Sequence, residues 1–207
     1  MHINAIAIDA AFANMGLARV RIEHTGKEWK VDCLDLMLVK TEGSGDRKVV
    51  RKSSDDLRRA TELVSALRSF SAGSTIAFAE VPSGAQSAAA ARGLGIAVGV
   101  LGACPVPIIE VSPMEVKRLF GVNRKVTKDE IIEWAVKEWP KAPWLRAHNR
   151  KGGSIVKANE HLADAMAIVK AGMLTPEFQR MVTLHASTSS PVQRPASSGK
   201  PRVRLQV

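Results

Sequence analysis

The stretch Ile3-Asn-Ala-Ile-Ala-Ile-Asp9 is almost wholly apolar until its last residue, which is a carboxylate. A run of this kind is typical of a central β-strand that is covered on both faces. A second apolar run, Thr75-Ile-Ala-Phe-Ala, also ends on a carboxylate, Glu80. If the two strands are parallel neighbours, Asp9 and Glu80 lie side by side at their carboxyl ends, about 5 Å apart. Two acids held there are costly unless a cation compensates them, and a divalent metal does this well.

The remaining signals predict an α/β fold in which a mixed five-stranded sheet is flanked by helices. Apolar runs, or the alternation of apolar with charged side chains, mark the strands. The predicted strands are residues 3–9, 18–23, 29–39, 75–80 and 107–111. Helices are predicted where an apolar stripe or a run of small residues follows a capping residue. They begin after Ser54, near Gln86, at Ser112-Pro113, at Thr127 with its capping-box partner Glu130, near Ala158 with an end at Gly172, and at Thr175-Pro176.

Two further candidate residues, His161 and Asp164, stand three positions apart in the helix predicted near Ala158. Residues at i and i+3 face the same way on a helix, so this pair can join the two strand-end carboxylates. Glu160, four residues before Asp164, is the alternative to His161 as the fourth member of the cluster. Taken singly, each of these residues has an ordinary structural role, and it is their conjunction that favours a catalytic site.

Such a cluster can hold two Mg²⁺ ions about 4 Å apart, which is the geometry for in-line attack on a phosphodiester. One metal generates hydroxide from water, and the other stabilises the leaving 3′ oxygen. Because imidazole is a softer ligand than Mg²⁺ favours, Mn²⁺ is expected to support activity as well.

The chain is strongly basic, with 30 Lys+Arg against 20 Asp+Glu, a formal net charge of +10 and a pI of about 10.0. This balance predicts a polyanionic partner, either nucleic acid or an anionic membrane, with a merely solvated basic surface as the alternative. The most apolar stretch, residues 94–111, is interrupted by Pro105 and Pro107, so no membrane-spanning helix is expected.

Two cysteines, Cys33 and Cys104, lie far apart in apolar surroundings and lack metal-ligand spacing. Free thiols in a reducing compartment are therefore expected, and since no signal peptide opens the chain, the predicted location is cytoplasmic. Residues 1–185 are predicted to form one domain. The Ser- and Pro-rich segment 186–207 has four positive charges and no negative ones, which predicts a basic disordered tail.

Four segments resemble a known family: Ile6-Ala-Ile-Asp9 with Gly16 after it, Ala77-Phe-Ala-Glu80, residues 91–97 and residues 161–168. In order and in near-family spacing, over roughly residues 3–173, the chain resembles the RuvC-type Holliday junction resolvases of the RNase H-like superfamily. The resemblance implies an RNase H-like nuclease domain and a metal-dependent endonuclease that cuts four-way DNA junctions by paired symmetric nicks. It also implies three acidic sites and a fourth acidic or histidine site three residues before the last Asp, which His161 matches.

The resemblance extends to two lysines, Lys117 after the fifth strand and Lys128 eleven residues on, and it implies that both lie near the scissile phosphate. The turn after Asp9, Ala-Ala-Phe-Ala-Asn, departs from the family's proline-glycine opening, and the loops are more basic. These departures are more typical of a phage or mobile-element relative. They leave open the cleavage sequence preference, the strictness for four-way junctions and any dependence on a branch-migration partner.

Basic side chains in loops are the candidates for DNA backbone contacts, which position DNA without reading its sequence. The candidates in loops are Lys48, Arg51, Lys52, Arg146, Arg150 and Lys151, and Arg92 in the small-residue helix is a further candidate. For Arg92, simple solvation is the alternative. Phe12 is a candidate for stacking on a base near the junction, with a role in the core as its alternative.

A symmetric junction presents two scissile strands, so a homodimer with two active sites is expected. The sequence leaves its interface open between the small-residue helix 86–103 and the region 112–120. The alternatives to a junction resolvase are a broader branched-DNA or flap nuclease and a catalytically weak junction-binding protein. An ATPase of the sugar-kinase type shares the general fold, but it needs glycine-rich phosphate loops that this sequence does not show.

Overall fold

The computed structural model describes residues 2–45, 51–121, 125–147 and 152–189. Within these ranges the strands are β1 (His2–Asp9), β2 (Asn14–His24), β3 (Trp29–Lys40), β4 (Ile76–Glu80) and β5 (Ile108–Val111). The α-helices are α1 (Lys52–Phe70), α2 (Ala88–Gly102), α3 (Pro113–Arg118), α4 (Lys128–Glu138), α5 (Glu160–Met173) and α6 (Pro176–Ser189). A short 3-10 helix, Lys157–Asn159, precedes α5.

β1 is the central strand of a five-stranded sheet with the order β3-β2-β1-β4-β5. It pairs antiparallel with β2 and parallel with β4; β2 pairs antiparallel with β3, and β4 pairs parallel with β5. The register places Asp9 opposite Glu80 on one side and opposite Gly16 on the other. The predicted mixed five-stranded sheet, with the first and fourth strands as parallel neighbours, is confirmed.

Both faces of β1 are covered, as its apolar run predicts. Ala5 and Ala7 belong to the core formed with α4, α5 and α6, whereas Ile6 and Ile8 belong to the core formed with α1 and α2. All four side chains are fully buried. Burial of a large aliphatic side chain stabilises a fold by roughly 1.5–3 kcal/mol, so this alternation fixes the register of the strand. Asp9, which is only half-buried, stands where the strand emerges from the core.

β2 is buried more deeply than the alternating pattern of residues 18–23 predicts. Residues 15–18 are all buried because α5 packs on one face of the strand and α1 on the other. The alternation of exposed and buried side chains holds only from Arg19 onward. At that point the pairing with β3 contains an irregularity of the β-bulge kind. Arg19 pairs with Asp35 and Val20 pairs with Cys33, so Leu34 is an extra residue on β3.

Two of the predicted helix starts are confirmed by their capping boxes. The Ser112 hydroxyl accepts a hydrogen bond from the Glu115 amide (3.3 Å), and the Glu115 carboxylate accepts one from the Ser112 amide (2.7 Å). Thr127 and Glu130 are joined in the same reciprocal way at the start of α4. Each box satisfies amide groups that the first helical turn otherwise leaves unpaired.

The predicted start of α1 at Ser54 is wrong. The helix begins at Lys52 with Arg51 as its N-cap, because the amides of Ser54 and Asp55 both donate to the Arg51 carbonyl at 3.0 Å. No side chain caps this end of the helix. Lys52, which the sequence suggests is a loop residue, is therefore the first residue of the helix.

The predicted end of α5 at Gly172 is also wrong, since the helix continues to Met173 and Leu174 is its C-cap. A Cβ atom on Gly172 would collide with the ring of Phe78 on β4. Glycine is therefore needed here for the close packing of α5 on the sheet, and it does not end the helix.

The predicted loop 142–158 contains local structure in its described part. Arg146 and Ile155 form an antiparallel bridge, and the 3-10 helix leads directly into α5. At the other end of the domain, α6 runs to Ser189, past the predicted domain boundary at residue 185. Residues 190–207 of the predicted tail lie outside the described residues. Among the helices that are described, none combines the length and apolar character needed to cross a membrane.

Candidate active site

The carboxyl ends of β1 and β4 bring two acidic residues together. Asp9 and Glu80 are the last residues of their strands and are direct partners in the parallel register. His161, in the first turn of α5, reaches this edge from the neighbouring layer, with its Nδ1 atom 2.9 Å from Asp9 Oδ2. The predicted juxtaposition of the two strand-end acids with the helix is therefore present in the structure.

The position of α5 depends on a glycine in the adjacent strand. Gly16 is the register partner of Asp9 on β2, and a Cβ atom there would collide with the backbone carbonyl of His161. The start of the helix therefore rests directly on the backbone of β2. This close approach places His161 within hydrogen-bond distance of Asp9.

Asp164 lies one turn further along α5 and completes the acidic cluster. Burial raises the pKa of its carboxyl from 3.8 to about 7, and the charge of Asp9 acts in the same direction. Burial also raises the pKa of Glu80, again with a second contribution from Asp9. Three carboxylates thus share a partly desolvated site in which negative charge is only partly compensated.

The cations around this cluster act against that accumulation of negative charge. Lys117 lowers the pKa of Glu80, while Lys128 and His161 lower that of Asp164. The hydrogen bond to Asp9 raises the pKa of His161, and burial only partly opposes it. The structure therefore places both predicted lysines and the predicted histidine within electrostatic reach of the acids.

Glu160, the alternative fourth ligand, makes its closest contact with a lysine. Its Oε2 atom lies 2.9 Å from Lys128 Nζ, and this hydrogen bond lowers the pKa of the Glu160 carboxyl. Its Oε1 atom is 3.6 Å from His161 Nε2. His161 thus lies between the carboxylates of Asp9 and Glu160, and Glu160 also contacts Lys128.

Asn159, which the sequence does not single out, anchors the entry to α5. Its side chain is completely buried and forms hydrogen bonds with the Leu145 amide, the Leu145 carbonyl and the Val156 carbonyl at 2.8–2.9 Å. These bonds tie the preceding loop to the residue just before Glu160 and His161. A polar residue directly before a helix that carries candidate ligands is the signal that could have identified it.

The donor set fits a divalent cation, although the side chains are not arranged around one. Among the described residues, no group of three or more His, Cys, Asp and Glu side chains has metal-holding spacing. His161 Nδ1 is instead bonded to Asp9. Three clustered carboxylates and one imidazole are nevertheless suitable ligands. The pKa values of Glu80 and Asp164 are raised first by burial and then by the charge of Asp9, and a bound cation would oppose both effects.

The predicted DNA-contacting residues fall into separate regions. Arg51 and Lys52 are exposed at the start of α1, and Arg92 on α2 forms an ion pair with Asp56 at 3.2 Å. Arg146 donates a hydrogen bond to the Gly153 carbonyl at 2.9 Å, so it also stabilises its own loop. Lys48, Arg150 and Lys151 lie outside the described residues.

Phe12 is half-buried, and its ring lies under a guanidinium group that the sequence does not single out. The Cζ atom of Arg59 is 3.7 Å from the ring centroid of Phe12. Arg59 and Asp56 both lie near the face of α1 that carries the buried Leu63 and Leu67. Charged residues in line with an apolar helical stripe are the signal that could have pointed to this arrangement.

The sheet order and the flanking helices match the RNase H-like fold, which two solved RuvC structures share with this chain. The structure of RuvC from Thermus thermophilus in complex with a Holliday junction substrate matches with a TM-score of 0.56 at 22% identity, covering 87% of this chain and 97% of that one. A second structure of T. thermophilus RuvC matches with a TM-score of 0.53 at 24% identity, covering 88% and 98% of the two chains. No protein-family model and no curated protein matches the chain. The resemblance to RuvC is thus confirmed at the level of the fold.

Proposed function

We propose that this protein is a metal-dependent endodeoxyribonuclease that resolves four-way DNA junctions by paired symmetric nicks. The observation that carries the proposal is the register pair Asp9 and Glu80, joined by His161 and Asp164, on a fold shared with a RuvC solved with a Holliday junction. The net charge of +10 supports a nucleic acid as the partner, since an acidic cluster alone would repel phosphate.

The residues of the site have distinct roles in this proposal. Asp9, Glu80, Asp164 and His161 would hold two Mg²⁺ ions, or Mn²⁺, which supply a hydroxide nucleophile and stabilise the leaving 3′ oxygen. The hydrogen bond from His161 orients the Asp9 carboxylate. Lys117 and Lys128 place positive charge beside the acids, where it offsets the charge that develops on the phosphate.

The same proposal includes a homodimer, because two symmetric nicks require two sites related by a two-fold axis. On α2, Val98 is 39% exposed, and the neighbouring Gly95 and Gly99 leave an open, flat helix face. On α3, Met114 is 48% exposed. Sedimentation of Val98→Glu and Met114→Glu distinguishes the two candidate interfaces, because only the variant at the true interface should dissociate the dimer.

The test of the proposed activity is cleavage of a labelled four-way DNA junction, compared with flap, linear duplex and single-stranded substrates in Mg²⁺ and in Mn²⁺. Paired nicks near the crossover that disappear in Asp9→Asn are the expected result. Glu177→Gln, which removes an exposed carboxylate on α6, is the matched control and should cut normally. Equal cutting of flaps would instead indicate a broader branched-DNA nuclease. Binding without any cleavage would indicate a junction-binding protein.

A further inference from the structure

A cavity of about 880 Å³ lies between the start of α1, the start of α2, the turn that follows β1 and residues 43–45 after β3. Phe12, which lines it, stands three residues after Asp9 in the chain, so the Cα atoms of the two residues are at most about 10 Å apart. The lining also includes the charged side chains of Lys52, Asp56, Arg59 and Arg92. A cavity of this size is suited to a small ligand or to a short flexible segment.

One wall of the cavity is a platform formed by the stacked side chains of Arg59 and Phe12. The Arg59 guanidinium lies over the ring of Phe12, with its Cζ atom 3.7 Å from the centroid. Arg59 is held there by hydrogen bonds to the Thr41 carbonyl (3.0 Å) and hydroxyl (3.2 Å). The Thr41 hydroxyl in turn donates to the Phe12 carbonyl at 2.5 Å. A planar cation held against an aromatic ring in this way is the kind of surface on which nucleic acid bases stack.

The charges around the platform favour an anionic ligand. Asp55 is ion-paired with Arg58 (2.7 Å) and Asp56 with Arg92 (3.2 Å), so each carboxylate already has a cationic partner. Lys52 and Arg59 also line the cavity; within the described residues neither cation is in a salt bridge, and the positive charge of Arg59 helps to lower the pKa of Asp55. Because Asp56 is buried and Arg92 is substantially exposed, the pair also fixes the direction of the Arg92 head group.

We propose that this cavity binds an unpaired segment of a DNA strand, with a base stacked on the platform of Phe12 and Arg59 and the backbone phosphates near Lys52 and Arg92. The choice of DNA rests on the proposed nuclease function. A base-stacking surface combined with phosphate-binding cations matches a single strand better than a duplex, whose bases are already stacked on one another. The cavity would thereby hold the opened strand beside the acidic cluster.

The test is fluorescence anisotropy in EDTA with two labelled probes, an oligothymidylate of about 12 nucleotides and a duplex of the same length. Phe12→Leu removes the ring and should weaken binding of the single strand about ten-fold, with little effect on the duplex. Arg92→Gln should weaken binding of the single strand less than Phe12→Leu does. It should also reduce the magnitude of the slope of log affinity against log salt by about one, which corresponds to one lost phosphate contact. Arg68→Gln removes an exposed arginine near the other end of α1 and is the matched control.

Several outcomes would overturn the proposal. These are unchanged binding in Phe12→Leu, an equal loss for both probes, a loss of the same size in Arg68→Gln, or thymidine monophosphate that competes as well as the oligonucleotide. Thermal unfolding of each variant shows whether a loss arises from misfolding, and Arg92→Gln gives a second measurement that does not depend on the ring. Junction cleavage is measured in parallel. If the protein cleaves junctions but does not bind the single strand, only this inference is wrong. If it binds the single strand but does not cleave junctions, only the proposed nuclease function is wrong.

Discussion

His161 Nδ1 lies 2.9 Å from Asp9 Oδ2, so a residue of the fifth helix is bonded to the last residue of the first strand across 152 positions of the chain. The bond holds the histidine and the acid in one orientation. It also means that a metal that took Nδ1 as a ligand would have to replace this hydrogen bond. The histidine is therefore a hydrogen-bond partner of the acidic cluster as well as a proposed metal ligand.

The three carboxylates should be required for cleavage and not for DNA binding. We expect Asp9→Asn, Glu80→Gln and Asp164→Asn each to lower the cleavage rate by a factor on the order of 10³ or more, because each removes a carboxylate that we propose as a metal ligand. Junction affinity should stay the same or rise, since repulsion between the acids and the phosphates falls. Gel-shift and cleavage assays on the same junction check this, and a loss of junction binding in these variants would mean that the cluster has a structural role.

His161 should determine which metal supports the reaction. In His161→Asp, a carboxylate replaces the softer imidazole, so we expect the ratio of the rate in Mn²⁺ to the rate in Mg²⁺ to fall. Metal affinity measured by titration calorimetry on the DNA-free protein should shift in the same direction. His161→Ala serves as the comparison that lacks any ligand. If the unmodified protein, His161→Asp and His161→Ala all show the same ratio of the rate in Mn²⁺ to the rate in Mg²⁺, His161 is not a metal ligand.

Stability of the metal-free protein should depend on the ionisation of Asp164. Its folded-state pKa of about 7 lies above the ordinary 3.8, so its contribution to stability is complete below about pH 4 and is lost as the pH rises toward 7. Asp164→Asn resembles the protonated form and should raise the free energy of unfolding by about 2 kcal/mol near pH 8, or roughly 5 °C in Tm, after allowance for partial exposure.

Thermal unfolding in EDTA near pH 8 and near pH 4 measures this difference, which should shrink at the lower pH. Glu177→Gln controls for the removal of an exposed carboxylate. A stabilisation of the same size at both pH values would show that burial of the amide, and not the missing charge, is responsible.

The ion pair between Glu160 and Lys128 should matter for turnover. Glu160→Gln weakens the 2.9 Å contact that holds the ammonium near Asp164, so we expect the cleavage rate to fall about ten-fold. Lys128→Ala should cost roughly 10²-fold, and Lys117→Ala should behave similarly, with smaller effects on junction affinity. Single-turnover kinetics separate rate from affinity. A larger loss of affinity than of rate would assign the lysines to simple phosphate contacts.

Gly16 should be needed for the placement of α5. Gly16→Ala introduces a Cβ atom against the His161 carbonyl, and we expect the protein to lose about 1–3 kcal/mol of unfolding free energy, together with cleavage activity. Gly45→Ala, where a Cβ meets nothing within 4 Å, is the control for stability. Denaturant unfolding checks both variants, and a Gly16→Ala protein of unchanged stability would show that the helix can move away from the strand at little cost.

The parts of the site that sequence predicts are those set by strand register and helical periodicity. Asp9 and Glu80 end apolar runs, and parallel pairing then makes them neighbours. The pairing of Glu160 with Lys128 joins two separate helices and has no signature in the spacing of either. The same holds for the stack of Arg59 on Phe12. Gly172 is predicted to end its helix, but it instead makes room for the ring of Phe78. A glycine near the end of a helix looks the same in the sequence in both cases.

The central place of β1 has a consequence for how the molecule opens. A strand with neighbours on both edges and helices on both faces exchanges its amide hydrogens only when the whole domain unfolds, so the amides of its buried residues 5–8 should be among the slowest to exchange. The walls of the 880 Å³ cavity come instead from a turn, from residues 43–45 and from the first turns of two helices, which exchange through local opening. The first acidic residue of the candidate site thus ends the most persistent element of the fold, whereas the proposed strand-binding cavity is walled by elements that open locally.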